Sequence, residues 1–280
     1  MSFRTYWRRL WMAVSTVGGL APRGYFIPYR YAASTGRGAV DGYTALLPFF
    51  EAAETTFAAN IERIDGFADP LVGFDGPPPE PRWSQDWFPG LDGAAMYTFV
   101  RSRAPGRMIE IGSGHSTRFA ARAIRDGGFE CAMTAIDPAP RADIGALGIE
   151  CIRAPLQQVP LGRFADLSAG DILSIDSSHV AVSGSDVDIL VNQVMPGLPS
   201  GVLVQIHDIF LPDLYPAAWA WREYNEQSLV APLVHGGGYE LLWSSRYVRT
   251  RMADCLTGLA CGHIETPRGA PESSLWLIKR

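Results

Sequence analysis

Three clusters of residues in this 280-residue chain combine types and spacing that chemistry can use. The first is Ile109-Glu110-Ile111-Gly112-Ser113-Gly114-His115-Ser116-Thr117. It follows an apolar run that predicts a strand, and it opens a predicted helix. Its glycines allow backbone amides to approach a ligand, and the helix start favours a carboxylate or phosphate. Asp137 ends the next predicted strand, where a carboxylate can accept both hydroxyls of a ribose. Glu110, Gly112, Ser113, Gly114, Ser116 and Asp137 are therefore candidate ligand-binding residues. His115-Ser116-Thr117 stands where a dinucleotide fingerprint has its third glycine. That argues against a pyrophosphate crossing the loop, and adenosine with a short zwitterionic tail fits better. The plainer alternative is a tight turn and a solvated aspartate.

The second and third clusters are Ile175-Asp176-Ser177-Ser178-His179 and Gln205-Ile206-His207-Asp208-Ile209. Each ends a predicted strand, at the edge where open α/β sheets bind ligands. Adjacent strands lie about 4.8 Å apart, so Asp176 and Asp208 are expected to face one pocket. Three readings are open here. Asp176 and Asp208, with a histidine, hold a divalent metal, and two His plus two Asp would suit iron or manganese. Alternatively His207 or His179, beside Asp208, moves a substrate proton without a metal. In the plainest reading Asp176 binds the amine of a cofactor and the histidines only tie loops. Candidate substrate contacts are Tyr224 and Asn225, in Trp219-to-Gln227, and Trp87, in the polar-aromatic stretch Arg82-to-Pro89. Against these stand a helix packed by its two Trp and an aromatic anchor.

These residues need elements to position them. From residue 107 the pattern alternates between strand and helix. Strands are predicted at 107–111, 131–136, 149–153, 171–175, 202–206, 239–244 and 274–278, and helices at 116–125, 186–195 and 217–230. Apolar strands joined by helices imply a mostly parallel sheet covered on both faces. The last two strands are expected to pair antiparallel at an edge. Residues 1–104 read as a separate helical, Pro- and aromatic-rich cap, and 105–280 as the α/β domain. Within the cap, 46–64 predicts a helix, 76–81 a stiff extended Pro linker, and 92–103 a helix capped by Asp92. Phe3 to Val17 predicts an amphipathic helix, read as docking on the body in preference to anchoring at a membrane surface.

Composition narrows the function. The net charge is −5, which gives no basic field for a nucleic-acid backbone. The basic residues are 23 Arg and one Lys, Lys279, so lysine-based covalent catalysis is nearly excluded. Four cysteines form no C-x-x-C pair, which gives a structural zinc no support and fits a reducing, cytoplasmic compartment. No apolar run is long enough to span a membrane.

Taken together, Glu110-to-Thr117, Ile136-Asp137-Pro138, Ile175-to-His179 and Ile206-to-Ile209 resemble the class I S-adenosylmethionine-dependent methyltransferases. The resemblance covers roughly Arg107 to Arg280. It looks closest to a bacterial branch that shares Gly24-to-Tyr31, Gln85-Asp86-Trp87-Phe88 and Tyr224-Asn225-Glu226-Gln227. It implies a Rossmann-like seven-stranded sheet with an antiparallel last strand, and S-adenosylmethionine as cofactor. It also implies Gly112 and Gly114 along the methionine part, Asp137 on the ribose, and Pro155-Leu156-Gln157 near the adenine. Asp176 and Asp208 match positions that hold magnesium in metal-dependent O-methyltransferases, and His207 departs from that pattern. The expected reaction is methyl transfer to an oxygen, or a nitrogen, of a small molecule. The rivals are a cofactor-consuming cyclase or lyase and a non-catalytic binding protein. Nucleic acid is not an expected partner, and a homo-oligomer is left open.

Overall fold

The apolar runs after residue 107 become strands because both of their faces are covered. In this computed structural model, which describes residues 3–34, 41–264, 266–267 and 269–280, β1 spans Arg107–Ile111, β2 Ala132–Ile136 and β3 Glu150–Ile152. β4 is Ile172–Ile175, β5 Leu203–Ile206, β6 Tyr239–Ser244 and β7 Leu275–Lys279. Every residue of β4 and β5 is buried. The sheet order is β3-β2-β1-β4-β5-β7-β6. β1 to β5 run parallel, and β7 is antiparallel to both its neighbours. The expected seven-stranded, mostly parallel Rossmann-like sheet with an antiparallel last strand is present. The last two strands do pair, but β7 slots between β5 and β6, which leaves β6 at the edge.

The helices before the sheet are α1 (Phe3–Val17), α2 (Leu47–Ala52), α3 (Glu54–Asp65), α4 (Ala68–Val72) and α5 (Gly90–Arg103). Later come α6 (His115–Gly127), α7 (Asp186–Ile189), α8 (Gln227–His235) and α9 (Ser245–Arg251). One hydrophobic cluster joins Phe50, Phe57 and Phe99 to Trp243, Tyr247 and Trp276, so α2, α3 and α5 share a core with β6, α9 and β7. Phe99 meets Trp276 edge-on, with ring centroids 4.9 Å apart.

Several helices differ from the sequence pattern, each for a local reason. The run 46–64 breaks at Ala53, which lets Phe50 and Phe57 both reach the Tyr247 ring. The run 186–195 widens after α7 into a looser turn over Leu190–Val194, keeping Leu190, Val191 and Val194 buried. The run 217–230 splits: Ala217–Arg222 is a 3-10 turn, Glu223 has φ 58°, and α8 begins at Gln227. A left-handed residue cannot continue a helix. Residues 76–81 are no extended linker, because Asp75 pairs with Arg82 across them and closes a turn. Glu80 in that turn accepts from Arg122 and Arg125 of α6. α5 starts at Gly90, and Asp92 is no cap: it is fully buried inside the fold. α1 forms where expected, but its apolar side does not dock. Phe3, Trp7, Trp11 and Val14 face solvent.

Candidate active site

The strand order reverses between β1 and β4, and ligands bind at the carboxyl ends of strands at such a point. The loop after β1 is shaped there from behind. Ser116 Oγ donates to Glu110 Oε1 at 2.6 Å, and Thr117 Oγ1 donates to Glu110 Oε2 at 2.5 Å. Thr117 Oγ1 in turn accepts from the Gly114 amide at 2.8 Å. Glu110, Gly114 and Ser116 are buried behind the cleft, with the Glu110 and Ser116 side chains spent on each other. Of the predicted cofactor set, Gly112, Ser113, Asp137 and Asp176 line the cleft, and Glu110, Gly114 and Ser116 do not. Those three hold the loop in shape.

Burial lifts the Glu110 carboxyl to about 7 against the pull of the two hydroxyls. An unfolded glutamate titrates near 4.5, so the folded chain binds the extra proton between those values. The resulting stability is full below about pH 4.5 and is lost as pH rises through 7, with a total of about 3 kcal/mol. Glu110→Gln is expected to flatten that slope in urea unfolding measured at about pH 5 and about pH 8.

Gly112 has φ 77°, and a Cβ there would stand 1.9 Å from the Asp176 carbonyl oxygen. The two loops touch backbone to backbone because no side chain intervenes. Gly112→Ala is expected to force them apart and cost about 3 kcal/mol, read as a lowered urea midpoint. Asp137 Oδ2 accepts from the Ser113 amide at 2.7 Å and its hydroxyl at 3.0 Å.

Across the cleft, two histidines meet two aspartates. His179 Nε2 lies 3.2 Å from Asp176 Oδ1 and 3.5 Å from Asp208 Oδ2. His207 Nδ1 lies 3.6 Å from Asp176 Oδ1 and 3.5 Å from Asp208 Oδ1. The far nitrogen of each ring is held by a buried carboxylate. His179 Nδ1 donates to Glu226 at 2.8 Å, and His207 Nε2 donates to Asp92 at 3.2 Å. Asp92 also accepts from the amides of Ser273 and Ser274. His179 (φ 60°) and Asp208 (φ 56°) both occupy the left-handed region, a strain found at functional positions. Ligand atoms of Asp176, His179 and Asp208 lie within 4.8 Å of one another, which fits a single cation.

The electrostatics follow from this crowding. Burial by itself would lower both histidines, but the surrounding carboxylates hold them well above the usual range. Burial by itself would raise Asp176, but the His207 charge and hydrogen bonds from both rings hold it far below.

The cleft has a volume of about 450 Å³. Its walls include Pro155, Leu156 and Gln157, the segment expected near an adenine. Trp87 lies under the Arg141 guanidinium, 4.6 Å from the ring centroid. Arg141 therefore belongs to the wall. The Tyr224 ring lies 4.5 Å from His179. Asn225 does not line the cleft, a correction to its expected substrate role: its amide group is used on both backbone groups of Ala181. Sequence reasoning missed Asp92 and Glu226 as partners of the histidines. One signal was available for Asp92, a lone acid in the otherwise uncharged stretch Leu91-to-Val100.

Residues 109–209, from β1 through the turn after β5, match the model of a family described as a methyltransferase domain. No curated protein matches the chain. Among solved structures, the SAH-bound methyltransferase PaMTH1 of Podospora anserina is 15% identical, with a TM-score of 0.42, over 92% of this chain and 99% of that one. An O-methyltransferase of Bacillus cereus in complex with SAH is 11% identical, with a TM-score of 0.42, over 81% and 91%. TomG of Streptomyces achromogenes, an O-methyltransferase of tomaymycin synthesis in complex with SAM, is 16% identical, with a TM-score of 0.41, over 78% and 89%. The family match falls on the segment that carries the loops after β1, β2, β4 and β5. That segment matches a methyltransferase domain and lies in a Rossmann-like sheet, in line with the resemblance read from the motifs.

Proposed function

We propose that the chain transfers a methyl group from S-adenosylmethionine to an oxygen of a small molecule. The observation that carries this is the convergence of Gly112, Ser113 and Asp137 with the His179–Asp208 cluster in one cleft. The first group suits an adenosine with a zwitterionic tail, and the second suits a hydroxyl that must lose a proton. The side-chain-free approach at Gly112 and the Asp137 carboxylate on the cleft wall fit the cofactor. When bound, the cofactor supplies an electrophilic methyl group on its sulfonium.

The chain's own residues then have separable tasks. Asp137 orients the ribose, and Asp176 lies between the cofactor side and the acceptor side. His179 and His207 manage the acceptor's proton, with Glu226 and Asp92 fixing the orientation of each ring. Trp87 and Tyr224 give the acceptor flat apolar walls, and most of the rate gain is positioning for in-line attack. Within the first 104 residues, Asp86 and Trp87 act as the cap, closing one side of the cleft.

The same cluster suits a divalent cation. Asp176, Asp208 and His179 would hold it, with His207 beside them, and it would make a hydroxyl more acidic. Imidazole ligands whose second nitrogen rests on a carboxylate are the usual support for such an ion. This set favours manganese or ferrous iron over magnesium, because imidazole is a softer donor than an oxygen ligand.

Product analysis tests the reading. Incubation with S-adenosylmethionine and hydroxylated small molecules, with and without manganese, is expected to yield S-adenosylhomocysteine in step with a methylated acceptor. Methylthioadenosine without a methylated acceptor would contradict it and point to a cyclase or lyase.

A further inference from the structure

Helix α1 lies with its polar side toward the protein. Ser15 is buried and Thr5, Arg9, Met12 and Thr16 are half-buried, with Arg9 donating to Glu223 at 3.0 Å. Phe3, Tyr6, Trp7, Leu10, Trp11, Val14 and Val17 share the opposite stripe at helical spacing. Their exposure runs from 40% at Leu10 to 77% at Phe3, where a folded chain ordinarily buries such a stripe. The segment after the helix adds Tyr25, Phe26, Ile27, Tyr29 and Tyr31, all at least 55% exposed. Covering large apolar side chains is favourable, so a face of this size calls for a partner.

The charge pattern names the kind of partner. Residues 1–40 contain six Arg and no acidic residue, whereas the remainder has 18 basic against 29 acidic residues. Arg4 and Arg8 are exposed and border the apolar stripe. Symmetric pairing of this face with a second copy would bring two arginine-rich segments together. An anionic bilayer surface accepts both the arginines and the aromatic stripe.

We propose that α1 and the segment to Tyr31 dock the protein on a membrane surface rich in anionic lipid. The helix lies in the interface, its aromatic stripe at the acyl boundary and Arg4 and Arg8 at phosphate level. It has 15 residues, and among the described residues no helix is long and apolar enough to cross a membrane. Glu223, the partner of Arg9, sits between Arg222 and Tyr224 of the cleft wall, so docking brings the cleft mouth close to the lipid.

Sedimentation of the full chain with phosphatidylcholine vesicles, with and without phosphatidylglycerol, tests this. Binding is expected with the anionic vesicles and to fall in high salt. The Trp7→Ser/Trp11→Ser double variant is expected to bind about 10-fold or more weakly. Arg4→Gln/Arg8→Gln is expected to lose ~10-fold as well. These side chains face solvent, so circular dichroism should be unchanged. Equal sedimentation with neutral vesicles, or undiminished binding by the Trp variant, would overturn the proposal. No vesicle binding, with a concentration-dependent dimer that the Trp variant abolishes, would assign the stripe to a second copy instead.

Discussion

His179→Ala is expected to lower turnover by about 10²- to 10⁴-fold while S-adenosylhomocysteine affinity changes only a few-fold. His179 stands within 3.5 Å of both Asp176 and Asp208, and its ring lies tilted against Tyr224, on the side proposed for the acceptor. Removing it removes the group that accepts the proton above its raised pKa, or a ligand of the cation. The Gly112–Asp137 side of the cleft is untouched. Glu226→Gln gives a finer test, because Glu226 acts through the ring. A loss of ~10- to 100-fold is expected, as for other carboxylates that support a histidine. Its sign against pH is also fixed. The Glu226 hydrogen bond and charge raise the His179 pKa. Without them His179 loses its proton at lower pH, so the acid limb of the rate profile moves down. A merely structural Glu226 would lower the rate and leave the limb in place.

Asp137→Ala is expected to weaken S-adenosylhomocysteine binding by about 100-fold or more. Two hydrogen bonds from ribose hydroxyls to a carboxylate are each worth roughly 1.5–3 kcal/mol. The same carboxylate holds the Ser113 amide and hydroxyl, so its loss also loosens the loop proposed to meet the tail of the cofactor. Asp208→Ala, by contrast, should leave that affinity nearly intact and remove turnover. Asp208 is held by Ser273 and the histidines, on the other side of the cleft. Equal affinity in the Asp137 variant would sink the placement of the cofactor.

The strands and their loops were legible because a doubly covered parallel sheet demands short apolar runs, and its chemistry collects where those runs end. Gly112, Asp137, Asp176, His207 and Asp208 all follow from that rule. The supports of the histidines did not. Asp92 meets His207 across 115 positions and Glu226 meets His179 across 47, pairings that only the folded sheet creates. Asn225 misled because a helical pattern gave no hint of the left-handed turn at Glu223, which redirects its amide to Ala181. α1 misled in a different way. Amphipathicity fixes which residues share a side, not which side faces the protein.

The most direct measurement is calorimetric titration of chelator-treated protein with S-adenosylhomocysteine, repeated with added manganese. Binding on the order of micromolar is expected for the wild type, and a separate manganese heat that Asp208→Ala removes. Absence of S-adenosylhomocysteine binding under both conditions would contradict the assignment of the cleft as a cofactor site.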